Sequence, residues 1–207
     1  MKKVFVLIIL LALALAVTPK EAKADSITYD LNYTKVAEFG APSYGTVKLE
    51  LISNTIQFTI DLADGVGFNI IDSGSHHAFT FNGTLGGAVT IGSFSDTDFS
   101  QGSAGANSPF GAFEYSVDSS CINGSGCGPN SLTFVVSRIG GFTTVNQLVE
   151  LSTGGDPNAF FAVDVANAAG NTGVVGSRGP ISTPEPTSLL LLGTGLASLG
   201  MMYRRKK

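Results

Sequence analysis

Thr55-Ile56-Gln57-Phe58-Thr59-Ile60-Asp61-Leu62 alternates apolar and polar side chains along its length. Successive side chains of a strand point to opposite faces, so Ile56, Phe58, Ile60 and Leu62 share one face and Gln57, Thr59 and Asp61 the other. The stretch predicts a half-buried antiparallel strand. Thr46-Val47-Lys48-Leu49-Glu50-Leu51, just upstream, has the same period. Ser53-Asn54 between the two reads as a hairpin turn. Outward from this pair, strands are predicted over 27–39, 68–71, 77–82, 111–117, 132–138, 159–166 and 172–175, with a short one within 86–91. Turn-forming Gly, Asn, Asp and Pro residues separate them. Only 143–151 carries a helical pattern, with Val145, Leu148 and Val149 at i, i+3 and i+4. No long helix separates the strands, so a parallel crossover sheet is not expected. The expectation is a mostly β body of two packed antiparallel sheets, a β-sandwich with jelly-roll-like connections.

Composition agrees. The chain of 207 residues has 26 glycines and no tryptophan, which suits short strands and many turns. Its net charge of −4 hides an asymmetry. Between residues 25 and 183 the only cations are Lys35, Lys48, Arg138 and Arg178, against fourteen Asp and Glu residues. Such a body cannot neutralise phosphates, which excludes nucleic acid as a partner.

Basic residues gather at the two ends instead. Lys2 and Lys3 precede an unbroken apolar run, 4–17, and Ala22-Lys23-Ala24 forms a small-x-small site. This is the pattern of a secretory signal peptide cut by signal peptidase, leaving Asp25 as the mature N-terminus. The apolar run is short for an uncleaved span of about 20 residues. At the other end, Pro184-Glu185-Pro186 leads into an uncharged apolar run, 187–203, closed by Arg204-Arg205-Lys206-Lys207. As a helix the run would rise about 25 Å, within the lower range of membrane-spanning lengths. The basic clusters at both ends keep those ends inside and place the body outside the cytoplasm. The proline on each side of Glu185 disfavours helix there and holds the chain extended, as a protease cleft requires.

Pro-Glu-Pro, an apolar helix and a terminal Arg/Lys cluster, in that order over 183–207, resemble the PEP-CTERM sorting signal. The resemblance covers only this tail. It implies an exported bacterial protein handled by an exosortase-like membrane protease, with cleavage near Glu185. It also implies release of the body to the cell surface or an extracellular matrix, in a biofilm or exopolysaccharide setting. On this reading the inner membrane is a transient partner and exopolysaccharide a further one.

The expected organisation is a signal peptide over 1–24, a β body over 25–175, a linker over 176–183 and the sorting signal over 184–207. The body holds no convincing catalytic constellation, and the chain is not expected to be an enzyme. His76 and His77 are adjacent; on a strand they would face opposite ways, so they are read as a polar approach to the strand rather than one metal site. A single-histidine site with Asp72 is conceivable. A Ser-His-Asp triad built from Asp72 and His77 lacks a positioned oxyanion hole. Asp96-Thr97-Asp98 offers oxygen ligands for Ca²⁺ but lacks the glycine and distal glutamate of an EF-hand loop. No carboxylate pair announces glycoside hydrolysis. Gly65-Val66-Gly67 lacks the lysine and helix of a phosphate loop. No cofactor is implied. Cys121 and Cys127, in a Gly-rich stretch of an exported chain, predict a disulfide. The leading expectation is a structural protein of the surface or matrix, and the alternative a carbohydrate- or calcium-binding lectin-like module.

Overall fold

A computed structural model describes residues 25–40, 43–64, 67–122 and 127–181. The expected leader with Ala22 and Ala24, the tail residues Pro184, Glu185 and Pro186, the run 187–203 and Arg204, Arg205, Lys206 and Lys207 lie outside them. Among the described residues there are fourteen strands: β1 (Ser26–Thr34), β2 (Gly45–Ile52), β3 (Thr55–Leu62), β4 (Asn69–Ile70), β5 (Phe79–Phe81), β6 (Thr90–Gly92) and β7 (Phe99–Gln101), then β8 (Gly105–Ala106), β9 (Gly111–Phe113), β10 (Tyr115–Ser119), β11 (Ser131–Ser137), β12 (Thr153–Gly154), β13 (Phe161–Ala166) and β14 (Thr172–Pro180). Every pairing is antiparallel. Among the described residues no helix is long and apolar enough to cross a membrane.

The opening stretch behaves as its alternation requires. Ile56, Phe58, Ile60 and Leu62 are buried, while Gln57 and Thr59 are half-buried and Asp61 is exposed. Ile52 pairs with Thr55 across the Ser53-Asn54 turn, and Ser53 takes the positive φ of 58° that a tight hairpin needs.

The expectation of two separate sheets is corrected. One hydrogen-bonded path runs β6-β11-β3-β2-β1-β14-β13-β5-β10-β7, with β4 beside β13. Its two edge strands approach each other. The Gln101 side chain on β7 accepts from Ile91 N at 2.9 Å and donates to Val89 O at 3.2 Å. The sheet is therefore a nearly closed barrel, an arrangement that removes exposed edges. Its interior is aromatic. Phe58 stacks on Phe134 at 5.0 Å between centroids and meets Phe81, Phe79 and Phe161 from the facing strands.

A second, three-stranded sheet of β12, β9 and β8 lies outside the barrel. It covers the outer face of β13 and β14. Phe110 packs there with Phe113, Ala159, Ala162 and Val174. Gly176 makes this possible, since a β-carbon there would overlap the Phe110 ring. The predicted strand 111–117 is consequently two strands, each in a different sheet. Between them Glu114 N donates to the Asn82 side chain. The predicted linker is also shortened. β14 continues to Pro180, and Ile181 N still donates to Thr28 O at 2.8 Å. The Gly-rich composition of 176–180 reads as linker, but Gly176 serves close packing against Phe110. The helical pattern of 143–151 reduces to a 3-10 turn, Val145–Leu148, with a Thr144/Gln147 capping box.

Candidate functional site

The barrel has two distinct ends. β1 begins and β14 finishes at one end, where Ser26 faces Glu50 and Tyr29 faces Pro180. At the other end β14 begins, with Thr172 facing Ala166. The polar cluster of the molecule sits at this second end. The segment between β4 and β5 crosses the outer face of β13 and brings Asp72, Ser73, His76 and His77 over Asp164.

Asp164 belongs to the outer face of a strand, where a carboxylate is ordinarily solvated. Here the crossing segment seals it completely, leaving its side chain with no exposure. Ile71 N donates to Asp164 O at 3.0 Å, Asp164 N donates to Ala78 O at 3.1 Å, and Ser73 N donates to Asp164 Oδ2 at 2.5 Å. The other oxygen, Oδ1, has no hydrogen-bond partner; it faces His76 Nδ1, equally unpartnered, at 3.9 Å. Burial pushes the Asp164 carboxyl up to about 6, against the bonds from Ser73 that favour its charged form. Burial likewise holds His76 below the usual imidazole range, although Asp72 pulls the other way. Asp72 is raised by its own burial, while Ser119 N, which donates to Asp72 Oδ2 at 3.2 Å, offsets part of this.

His77 is oriented separately. Its Nδ1 lies 2.6 Å from Asp118 Oδ1 on β10. Its backbone is clasped by Asn107, whose Oδ1 accepts from His77 N and whose Nδ2 donates to His77 O. Two glycines let the β7–β8 connection close over this dyad. A β-carbon on Gly105 would overlap His77 Nε2, and one on Gly102 would overlap Ser116 Oγ and Asp118 Oδ1. Gly105→Ala is therefore expected to displace the imidazole and cost about 1–3 kcal/mol, as overpacking does. Urea unfolding, with the His77 ring resonances as a local reporter, measures both effects; unchanged resonances would refute the displacement.

The two histidines thus face different carboxylates, His76 that of Asp164 without a hydrogen bond and His77 that of Asp118. The basis for expecting their separation is corrected, because β5 begins only at Phe79 and neither histidine lies on a strand. The residue that orients His77 is Asp118 and not Asp72, which removes the triad drawn from sequence. Asp118 and Asp164 were missed because they are remote in sequence from the histidines. The one signal was an acidic residue inside an otherwise apolar strand, Phe161-Ala162-Val163-Asp164-Val165-Ala166. Asp96 and Asp98 are not drawn to this cluster. Asp96 Oδ1 accepts from Asp98 N at 2.9 Å, a local turn. Among the described residues no group of three or more His, Cys, Asp or Glu side chains is placed to hold a metal ion. Cys121 and Cys127 are disulfide-bonded, with Cα atoms 5.8 Å apart.

Two clefts lie elsewhere. One of about 370 Å³ is bordered by Asp64, Phe68 and Asn130. The other, about 300 Å³, lies between Glu114 and Glu150 over Phe113 and Leu151. Sequence could not pair these two glutamates, which border one cleft only through the pairing of β9 with β12.

The first end of the barrel carries the tail. The last hydrogen bond of β14, from Ile181, falls three residues before Pro184. No curated protein and no solved structure matches the chain. A family model does match the segment that begins where the ladder stops: residues 182–206 match the PEP-CTERM protein-sorting motif, and the chain accordingly carries the sorting tail of an exported protein targeted by exosortase.

Proposed function

We propose that the chain is a structural protein of the bacterial surface or extracellular matrix, held at the inner membrane by its tail until an exosortase cuts near Glu185. The carrying observation is the position of the sorting motif. The described ladder runs to Ile181 and the motif begins at residue 182, so a cut at Glu185 lies beyond the last described barrel bond. The N-terminal boundary supports the same route. Asp25, the expected first mature residue, already belongs to the fold: its carbonyl accepts from Leu51 N at 2.8 Å and its carboxylate from Val145 N at 2.9 Å. A cut after Ala24 would keep both of these Asp25 bonds in the mature chain. In this reading the barrel acts by its presence in the matrix rather than by turnover. Its acidic surface, which favours solubility and weakens contact with anionic polymers at low salt, suits a body released from the membrane.

Replacing Pro184-Glu185-Pro186 by Ala-Gln-Ala is expected to leave full-length protein in the membrane fraction, with little or no released body. Fractionation and mass spectrometry of the C-terminus measure this. Release of the variant at the unaltered rate and at the same bond would overturn the assignment of these three residues.

A further inference from the structure

We infer that the tail-bearing end of the barrel docks on the outer surface of the lipid bilayer while the tail is attached, with Ile139 and Ile52 as its contact. This rests on the reading above that 187–203 spans the membrane. The first observation is where apolar surface is left uncovered. Among the described residues six large hydrophobic side chains are exposed: Ile52, Leu85, Ile122, Ile139, Leu151 and Ile181. Single exposed apolar residues are ordinary, but their placement is not random here. Ile52 borders the β2–β3 hairpin turn at the tail-bearing end. Ile139 is fully exposed, at 99 %, on a turn strapped to that hairpin. The strap is the bond from Phe142 N to Asn54 O at 2.9 Å, with Gly141 N donating to Arg138 O to close the turn. Leu85 follows the exit of β5, whose Phe81 faces Phe161 at the same end, and Leu151 O accepts from Asn82. Ile181 is the last residue of the ladder. Only Ile122, beside the disulfide, lies at the opposite end.

The second observation is the length of chain between the barrel and the apolar run. Ile181 is level with Thr28, which pairs with Lys48. Ile52 lies four residues further along β2, so the hairpin projects about 13 Å beyond Ile181 at about 3.3 Å per residue. From Ile181 to Thr187 is six residues, a reach of at most about 20 Å fully extended. With the barrel standing end-on over its tail, the hairpin tip is therefore no more than about 7 Å from the level where the apolar run begins. The headgroup layer on each side of a bilayer is about 5–8 Å deep. In that orientation even a fully extended tether leaves Ile139 and Ile52 among the headgroups. Exposed glutamates at this end, Glu114 and Glu150, favour a zwitterionic surface over an anionic one.

The chain has no tryptophan, so one introduced residue reports alone. Full-length chains carrying Ile139→Trp or, as control, Ile122→Trp would be reconstituted into phosphatidylethanolamine/phosphatidylcholine vesicles containing brominated phosphatidylcholine. Both tryptophans share the same intrinsic preference for an interface, so a difference between them reports position. The expected result is a blue-shifted emission from Trp at 139 that loses at least about half its intensity to brominated lipid, as interfacial burial of 5–10 Å implies. Trp at 122 should emit as in water. Equal, water-like emission from both, in chains that co-float with the vesicles, would overturn docking while leaving the anchor intact. Failure to co-float would overturn the anchor reading itself, and docking with it. Shielding of position 139 only after addition of exosortase would identify a protein contact and overturn docking on lipid.

Discussion

Phe58→Ala is expected to destabilise the barrel by about 3–5 kcal/mol, the range for removing a fully buried phenylalanine. Phe58 is completely inaccessible and lies at the crossing point of the interior. It stacks on Phe134 with ring planes 9° apart and touches Phe79, Phe81 and Phe161 across the barrel. These four rings come from three other strands, β5, β11 and β13, so a void at Phe58 cannot be closed by the movement of one of them. A domain of this size is stable by only about 5–15 kcal/mol, and the substitution consumes much of that margin. Denaturant unfolding of the variant should show a midpoint shifted strongly downward. A loss below about 1 kcal/mol would show that the rings repack around the void.

Asp164→Asn is expected to make the protein more stable at neutral pH, by about 2 kcal/mol, and to flatten its pH profile between about 4 and 6. The Asp164 carboxyl is raised from 3.8 to about 6 in the folded chain. Between those values the folded state keeps a proton that the unfolded state has released. Stability from this group is complete below 3.8 and declines as pH rises through about 6, by on the order of 3 kcal/mol. Asp72, raised by burial, adds a decline of the same sign. His76, lowered by burial, acts oppositely: the unfolded chain takes up a proton that the folded chain resists, so stability falls as pH drops below 6.5. Removing the Asp164 carboxylate should therefore take away its part of the decline toward neutral pH, leaving that of Asp72 and the opposite contribution of His76. An asparagine at 164 keeps an oxygen for Ser73 N, and its amide can donate toward the unpartnered Nδ1 of His76. Thermal unfolding at pH 4, 5, 6 and 7 tests this. A variant less stable than the parent at pH 7, with the slope retained, would show that the buried carboxylate is not the costly group.

The strands were legible wherever one face meets the core and the other does not. Thr55–Leu62 and Ser131–Ser137 follow period two along almost their whole length, and the hairpin turn at Ser53-Asn54 falls between predicted partners. Where both faces are covered the strand was still legible, as in the predicted 159–166, but the facing of its side chains was not. Phe161–Ala166 is buried at every position, so its sequence does not reveal which side of it Asp164 occupies. Legibility failed for Phe99–Gln101, Gly105–Ala106 and Thr153–Gly154, which are too short to show any period. The histidines were legible as a pair, but their partners were not. Their orientation is set by a crossing segment and by carboxylates on two strands, and no local pattern encodes that.

Sequence by itself determined the sorting tail: Pro-Glu-Pro, an apolar run and a basic cluster are a signal carried by consecutive residues, as is the acidic, strand-rich character of the body. Reading them requires no knowledge of what lies beside them in space. Only tertiary structure decided that the strands form one nearly closed barrel, that Asp164 is sealed against His76, and that both chain ends leave the barrel on the side where Ile52 and Ile139 are bare. The physical reason is the same in each case. Ladder pairing, desolvation of a carboxylate and the relative placement of loops depend on residues tens of positions apart, and they exist only once the chain has packed.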